Sequence, residues 1–348
     1  MSLAEILAQP SHWLTAQEQH PIVLSTRVRL ARNLADRPFP PALTAEKTEQ
    51  TEAEIAAVLE TTKIDGQCLR YLPLRDISDM EKMVLVEKHL ISPALAALGA
   101  GRGVALSPEH RLAVMVNEED HIRLQVISPG NSLQEAFRLA DQLDDALESR
   151  LDFAFRERYG YLTACPTNVG TGMRVSTMMH LPALVMTKQM QQVLSALSPL
   201  GLAIRGLYGE GSKAWGNIFQ ISNQVTLGKS EEDTLVNIEA VTEQVCELEN
   251  NARQIMLAGR RALEDRVWRA RGLLSHARIL PVEEAFHLVS EDRLGVEAGL
   301  LPGTRETFAA LVLNLLPAGL RYRHGGEMTE DQLNAARADY LRAAAVGS

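Results

Sequence analysis

The chain has 348 residues, 46% hydrophobic and 23% charged, enough to bury a substantial core and too apolar for general disorder. A formal net charge of −9 argues against an open nucleic-acid surface and leaves room only for a local basic pocket. Three dispersed cysteines without a Cys-x-x-Cys pair, no basic leader and no apolar run of membrane length predict a cytoplasmic protein without a membrane partner.

In chain order, residues 1–20 form a lead-in with a short helix. Ile22-Val23-Leu24 predicts a strand running into Ser25-Thr26-Arg27-Val28-Arg29, where Arg27 and Arg29 share strand parity. A Glu- and Ala-rich helix follows over 44–61. Ser78-x-x-Glu81 caps another that runs to about His89-Leu90, ahead of Pro93. Leu112, Val114 and Val116, then Ile122, Leu124 and Val126, alternate as a hairpin does over 111–128. Its tip is Asn117-Glu118-Glu119-Asp120, ordinarily solvated turn chemistry. Ser132-x-x-Glu135 predicts the cap of an amphipathic helix presenting Leu133, Phe137, Ala140, Leu143, Leu147 and Leu151.

Cys165-Pro166-Thr167-Asn168-Val169-Gly170-Thr171-Gly172-Met173-Arg174, followed by Val175-Ser176-Thr177-Met178, is the most informative stretch. Gly170 and Gly172 allow close backbone approach to a ligand, and Arg174 is expected at the start of a helix, facing an anion. Helical segments broken by Pro182 should extend to about Leu197. A strand over 202–208, a glycine loop over 209–213 and a strand over 217–227 come next. Hairpins mixed with helices predict an α+β fold with a largely antiparallel sheet flanked by helices. From Ser230 the pattern is helical: one helix to about Arg271, then 282–289, 304–315 and 329–345. The expected organisation is a lead-in over 1–20, an α+β domain over 21–255, and a helical dimerisation or interaction domain over 256–348.

Two nucleotide signals fail. Gly206-x-x-x-x-Gly211 is followed by Ser212-Lys213, the reverse of P-loop order, and Asn223 stands where the loop ending at Gly228-Lys229-Ser230 needs glycine. No metal-ligand spacing is present in the sequence. What remains is five arginines beside strand ends or glycine turns: Arg27, Arg29, Arg123, Arg174 and Arg205. In an acidic chain they point to an anion pocket, because guanidinium groups clamp phosphate bidentately. Phosphoryl transfer needs mainly positioning and charge neutralisation, which arginines with Mg2+ supply. Carboxylates on two turns, Glu119 and Glu210, could hold a guanidinium acceptor and take the proton its nitrogen must lose. Cys165 leaves open a thiol-dependent guanidino hydrolase or amidinotransferase, which would not explain the arginines. A non-enzymatic adaptor built on the C-terminal helices is a third reading.

Four segments, in order, carry a resemblance: Ser25-Thr26-Arg27-Val28-Arg29, Asn117-Glu118-Glu119-Asp120-His121-Ile122-Arg123, the Cys165-to-Arg174 stretch, and Arg205-Gly206-Leu207-Tyr208-Gly209-Glu210-Gly211. Over about 20–255 the chain resembles the phosphagen (guanidino) kinase family, and within it the bacterial protein-arginine kinase branch, to which the C-terminal helices are similar too. The resemblance implies ATP- and Mg2+-dependent phosphorylation of arginine residues in proteins, in protein quality control or stress response; the alternative is a kinase for a free guanidino metabolite such as arginine. It implies nucleotide contacts by Ser25, Thr26, Arg27, Val28, Arg29, His89, Arg123, Arg174, Val175, Ser176, Thr177, Met178, Arg205, Gly206, Leu207, Tyr208, Gly209 and Glu210. Glu119 and Glu210 would orient and deprotonate the acceptor, and Cys165 would line its pocket. Implied partners are protein substrates with exposed arginines, a second copy in a homodimer, an activator or adaptor, and protease machinery.

Two departures matter. Only 24 residues precede Ser25, where creatine- and arginine-type kinases carry a helical domain, so an uncovered site suited to an arginine on a protein is expected. The branch's Arg-Asp-x-x-Arg-Ala motif, implied to dock phosphoarginine, is Leu333-Asn334-Ala335-Ala336-Arg337-Ala338 here. Arg337 is therefore expected to be a solvated helix residue, and activation by phosphoarginine weak or absent.

Overall fold

The computed structural model describes residues 2–11, 13, 20–206, 215–303 and 306–345. In chain order its strands are β1 (Val23–Arg32), β2 (Lys63–Ile64), β3 (Gln67–Cys68), β4 (Arg70–Pro73), β5 (Gly103–Leu106), β6 (Leu112–Val116), β7 (Ile122–Pro129), β8 (Phe155–Arg156), β9 (Gly160–Tyr161), β10 (Met173–His180), β11 (Leu202–Gly206) and β12 (Ile218–Asn223). Eight make one sheet in the order β11-β12-β10-β1-β7-β6-β5-β4, antiparallel from β1 through β7, β6 and β5 to β4. Strands β2 with β3, and β8 with β9, make two small hairpins.

Internal contacts divide the chain into two units. The first comprises Met1–Ala16, Ser25–Ser176 and Ser222–Glu239. The alternation read in the sequence is the pleat of β6 and β7, yet Ala113 and Met115 are buried as fully as Val114 and Val116. Both faces of this hairpin are therefore inside. The helix Leu133–Glu148 packs on β7 and buries Leu139, Leu143 and Leu147. Its expected cap is absent: Ser132 accepts no helix N–H, and its hydroxyl donates instead to the Pro129 carbonyl at 2.7 Å.

The second unit comprises Gln17–Leu24, Thr177–Ile221 and Ala240–Ser348. The single helix expected from Ser230 to Arg271 is two, Glu231–Ala258 and Arg260–His276, broken at Gly259. Helix Arg260–His276 packs against Val282–Glu297 through Leu263, Val267 and Leu294, with Leu300 and Leu301. A Cβ at Gly295 would sit 2.8 Å from Val267 and 2.6 Å from Leu301, so glycine sets that close approach. Among the described residues no helix is long and apolar enough to cross a membrane.

Two further departures from the sequence expectation have a physical reason. Residues 173–180 are a strand, not the start of a helix: Val175 and Thr177, both β-branched, are buried, while Arg174 and Met178 are half-buried. Arg337 is not solvated. It is 2% exposed on the helix Glu330–Ala345, where Nε donates to the Leu315 carbonyl at 2.9 Å. Its Nη1 donates to the Leu280 carbonyl at 2.8 Å and to Asn334 Oδ1 at 2.6 Å. Leu333, where the motif has arginine, packs against Leu320 and Ala336. This stretch is a helix lock built on core contacts. Arg337→Ala strips two buried carbonyls of a charged donor and should lower stability by about 3 kcal/mol or more. Urea unfolding measures this, and an unchanged midpoint would contradict the lock.

Candidate active site

The site is built on the parts of β1, β7 and β10 that lie in the first unit. The register sets Arg29 opposite Gln125 and Ala31 opposite Arg123, so Arg27, Arg29, Arg123 and Gln125 occupy one face. Arg174 on β10 faces the same group: Arg27, Arg123 and Arg174 each push protons off Arg29. Burial comes first, then these neighbours, in holding Arg29 well below the usual arginine range. Burial and Arg123 bring Arg27 down to about 9. Nε of Arg27 and Nε of Arg29 are buried with no acceptor among the described residues.

Among the described residues the carboxylate paired directly with this cluster is Glu118. Glu118, its side chain 3% exposed, accepts from Arg123 Nη1 at 2.6 Å. Although burial opposes it, this pairing holds Arg123 above its ordinary value. Four crowded guanidinium groups with a single direct carboxylate pairing among the described residues are costly unless an anion of several charges completes the site.

The turn carrying Glu118 and Glu119 is fixed from below, and the expectation of a solvated tip is wrong. Asn117, in the left-handed region at φ 56°, donates to the carbonyls of Thr48 and Gly101 at 2.9 and 2.8 Å. Asp120 Oδ1 accepts from Asn33 Nδ2 at 2.6 Å and from the Ala164 N–H at 2.7 Å, tying the turn to the segment that enters Cys165. Asn33 also accepts the His121 N–H at 2.9 Å. Of the four tip residues Glu119 alone is exposed. Partial desolvation and then Asp120 raise its pKa, against a hydrogen bond with the Cys165 thiol. That contact brings Cys165 and Glu119 together, and the thiol also lies 3.0 Å from Thr167 Oγ1.

The two glycines of the central stretch serve packing. A Cβ at Gly172 (φ 63°) would lie 2.6 Å from the Ala31 carbonyl, and one at Gly170 (φ 116°) 2.4 Å from that of Thr226. Buried Arg32 holds the turn. It donates to the Thr171 carbonyl at 2.9 Å, pairs with Asp144 at 2.6 Å and lies over the Tyr161 ring at 3.5 Å. Asn223 grips β10 around Arg174, accepting the Val175 N–H at 2.8 Å and donating to the Met173 carbonyl at 3.0 Å, while its own carbonyl takes Arg174 Nε at 3.3 Å. A cavity of about 290 Å3 beside the turn, bordered by Tyr159, Tyr161, Gly170, Lys229 and Glu231, includes none of these four clustered arginines.

Of the other residues named from the sequence, Ser25, Thr26 and Val28 are buried, and Thr26 Oγ1 accepts the Ser132 N–H. Val175, Ser176 and Thr177 are buried and Met178 half-buried, with Thr177 Oγ1 3.2 Å from Thr242 Oγ1. His89 follows the helix Asp79–Glu87, half-buried, its ring centroid 6.1 Å from that of Trp13. Arg205 and Gly206 end β11 in the second unit. Leu207, Tyr208, Gly209 and Glu210 lie outside the described residues. Glu118, Gln125, Asn33, Asp120 and Asn223 were missed as supports. Only Gln125 left a clear signal, its parity with Arg123.

A sheet face carrying four arginines, with a desolvated carboxylate and a thiol beside them, is suited to holding a polyphosphate next to a cationic acceptor. That is the chemistry of guanidino phosphotransfer, and residues 50–252 match the family described as "ATP:guanido phosphotransferase, C-terminal catalytic domain". The chain belongs to this family. Residues 260–346 match "Protein-arginine kinase McsB C-terminal domain". The chain is 47% identical to the protein-arginine kinase of Moorella thermoacetica over 341 residues, 97% of each chain. It is 43% identical to that of Halothermothrix orenii over 347 residues, covering 98% of this chain and 99% of the relative. Among solved structures, lombricine kinase superposes with a TM-score of 0.59 at 25% identity, covering 71% of this chain and 70% of that one. The duplicated taurocyamine kinase of Schistosoma mansoni, with transition-state analog components bound, gives 0.58 at 28% identity, covering 69% of this chain and 36% of that longer one.

Proposed function

We infer that this chain is a protein-arginine kinase, transferring the γ-phosphoryl group of ATP to arginine side chains of proteins. The observation that carries the reading is the cluster of Arg27, Arg29, Arg123 and Arg174 around the buried carboxylate Glu118, with Glu119 and Cys165 beside it. The arginines take the phosphate oxygens in bidentate contacts and spread the charge that develops on the transferred group. Mg2+, brought in by the nucleotide, would neutralise charge between its phosphates. Glu119 aligns the acceptor guanidinium through paired hydrogen bonds and takes its proton. The new N–P bond forms as the bond from phosphorus to the ADP oxygen breaks. Cys165, in contact with Glu119, borders the acceptor. Arg205 and the 206–210 segment are assigned to the nucleotide, with Glu210 sharing the role of Glu119. The catalytic part is taken as 21–255 and the helical part as 256–348.

Full-length similarity to protein-arginine kinases favours a protein acceptor over a free metabolite. Initial rates with an unfolded arginine-rich protein and with free arginine, at matched guanidinium concentration, separate the two. The protein should turn over much faster, and equal rates would favour a metabolite kinase. A homodimer formed through the C-terminal helices, an activator or adaptor with protease machinery, a cytoplasmic setting and a role in quality control complete the reading. The exposed Trp268, Leu273 and Ile279 support the homodimer.

A further inference from the structure

Gln125 is 1% exposed on β7, two residues beyond Arg123, and its amide bonds on both sides. Oε1 accepts from Arg27 Nη2. Nε2 donates to the His89 carbonyl at 2.7 Å and to the Leu90 carbonyl at 3.3 Å. The partners fix the amide orientation, since a guanidinium has no acceptor to offer and a carbonyl no donor.

We propose that Gln125 is a positioning residue for the nucleotide, holding Arg27 and the loop at His89 in their receiving geometry without neutralising Arg27. This rests on the kinase reading above. Arg123 is held by a carboxylate, Glu118, and so shares its charge with the protein. Arg27 is held by a neutral acceptor and keeps its charge for an anion. The same amide stabilises a strained turn: His89 sits at φ 59°, a left-handed conformation that costs a non-glycine residue energy. Two successive carbonyls from that turn end on Gln125, while Trp13 backs the His89 ring. Glutamate would meet those carbonyls with negative charge and cancel Arg27. An apolar side chain would release both partners. Glutamine alone joins them neutrally.

The test is Gln125→Met and Gln125→Glu in the full chain, with folding checked by near-ultraviolet circular dichroism. Nucleotide affinity is read by titration with a non-hydrolysable ATP analogue and Mg2+. Each variant should weaken nucleotide binding by about tenfold or more, as expected for losing a buried bond to a charged group. KM for the protein acceptor should stay within about twofold, because Gln125 does not touch the acceptor side. In an Arg27→Ala background, Gln125→Met should cost clearly less than in the native chain, because the two act together. Should the methionine variant fail to fold, the near-isosteric glutamate variant decides. Wild-type nucleotide affinity in a folded variant, equal weakening of nucleotide and acceptor, or full additivity with Arg27→Ala would each overturn the proposal. Because the titration reads nucleotide alone, it decides the role of Gln125 even if the acceptor proves not to be arginine. A native chain that binds no nucleotide would overturn both readings.

Discussion

Arg29→Met, Arg123→Ala and Arg174→Ala are each expected to lower kcat/KM by about 10³-fold or more, the scale of an arginine that neutralises transition-state charge. Lysine should restore little at any of the three, because a point charge cannot replace a planar fork. The variants should differ in stability. Arg123→Ala leaves Glu118 buried without its 2.6 Å partner and should destabilise the chain. Arg29 faces three other guanidinium groups and carries a buried Nε with no acceptor among the described residues. Removing its charge relieves repulsion, so Arg29→Met should melt at a higher temperature than the native chain without nucleotide while losing activity. Steady-state rates and melting curves check both halves. Full activity with lysine at all three positions, or a lower melting temperature for Arg29→Met, would contradict a strained anion pocket.

Glu119→Gln should lower kcat by about 10²-fold or more through loss of base catalysis, with ATP binding retained because shape and hydrogen-bonding reach persist. The base works only when ionised. Desolvation, followed by Asp120, raises its pKa above the ordinary 4.5. The rate of the native chain should therefore fall with decreasing pH earlier than an unperturbed carboxylate would allow. The residual rate of Glu119→Gln should lack this acid limb. A native-like rate in the variant, or an unchanged limb, would mean Glu119 is a solvated turn residue.

The legibility of these features in the sequence followed their physical origin. Strand parity is local, so the shared face of Arg27 and Arg29 and the pleat of β6 and β7 could be read directly. The burial of the acidic turn could not, because it depends on Asn33, Thr48, Gly101 and Ala164, all distant in sequence. Glycines at 170 and 172 marked a close approach, but a sequence does not say to what; both approach backbone carbonyls. For β10 the sign was present and outweighed: Val175 and Thr177 favour a strand, whereas the glycine turn before Arg174 suggested a helix start. Arg337 shares a helical stripe with Leu333 and Leu341, both buried; that spacing of four was a legible sign of an inward-facing arginine, and the expectation of a solvated residue overlooked it.

Whether the arginine cluster serves phosphoryl transfer to a guanidinium is open to direct measurement. The most direct measurement incubates the chain with Mg-ATP and an unfolded arginine-rich protein, then locates the phosphate by mass spectrometry under non-acidic conditions that preserve N–P bonds. Phosphate is expected on arginine side chains, and lost when Glu119 is replaced by glutamine. Phosphate confined to serine, threonine or tyrosine, or ATP turnover with no modified arginine, would contradict it.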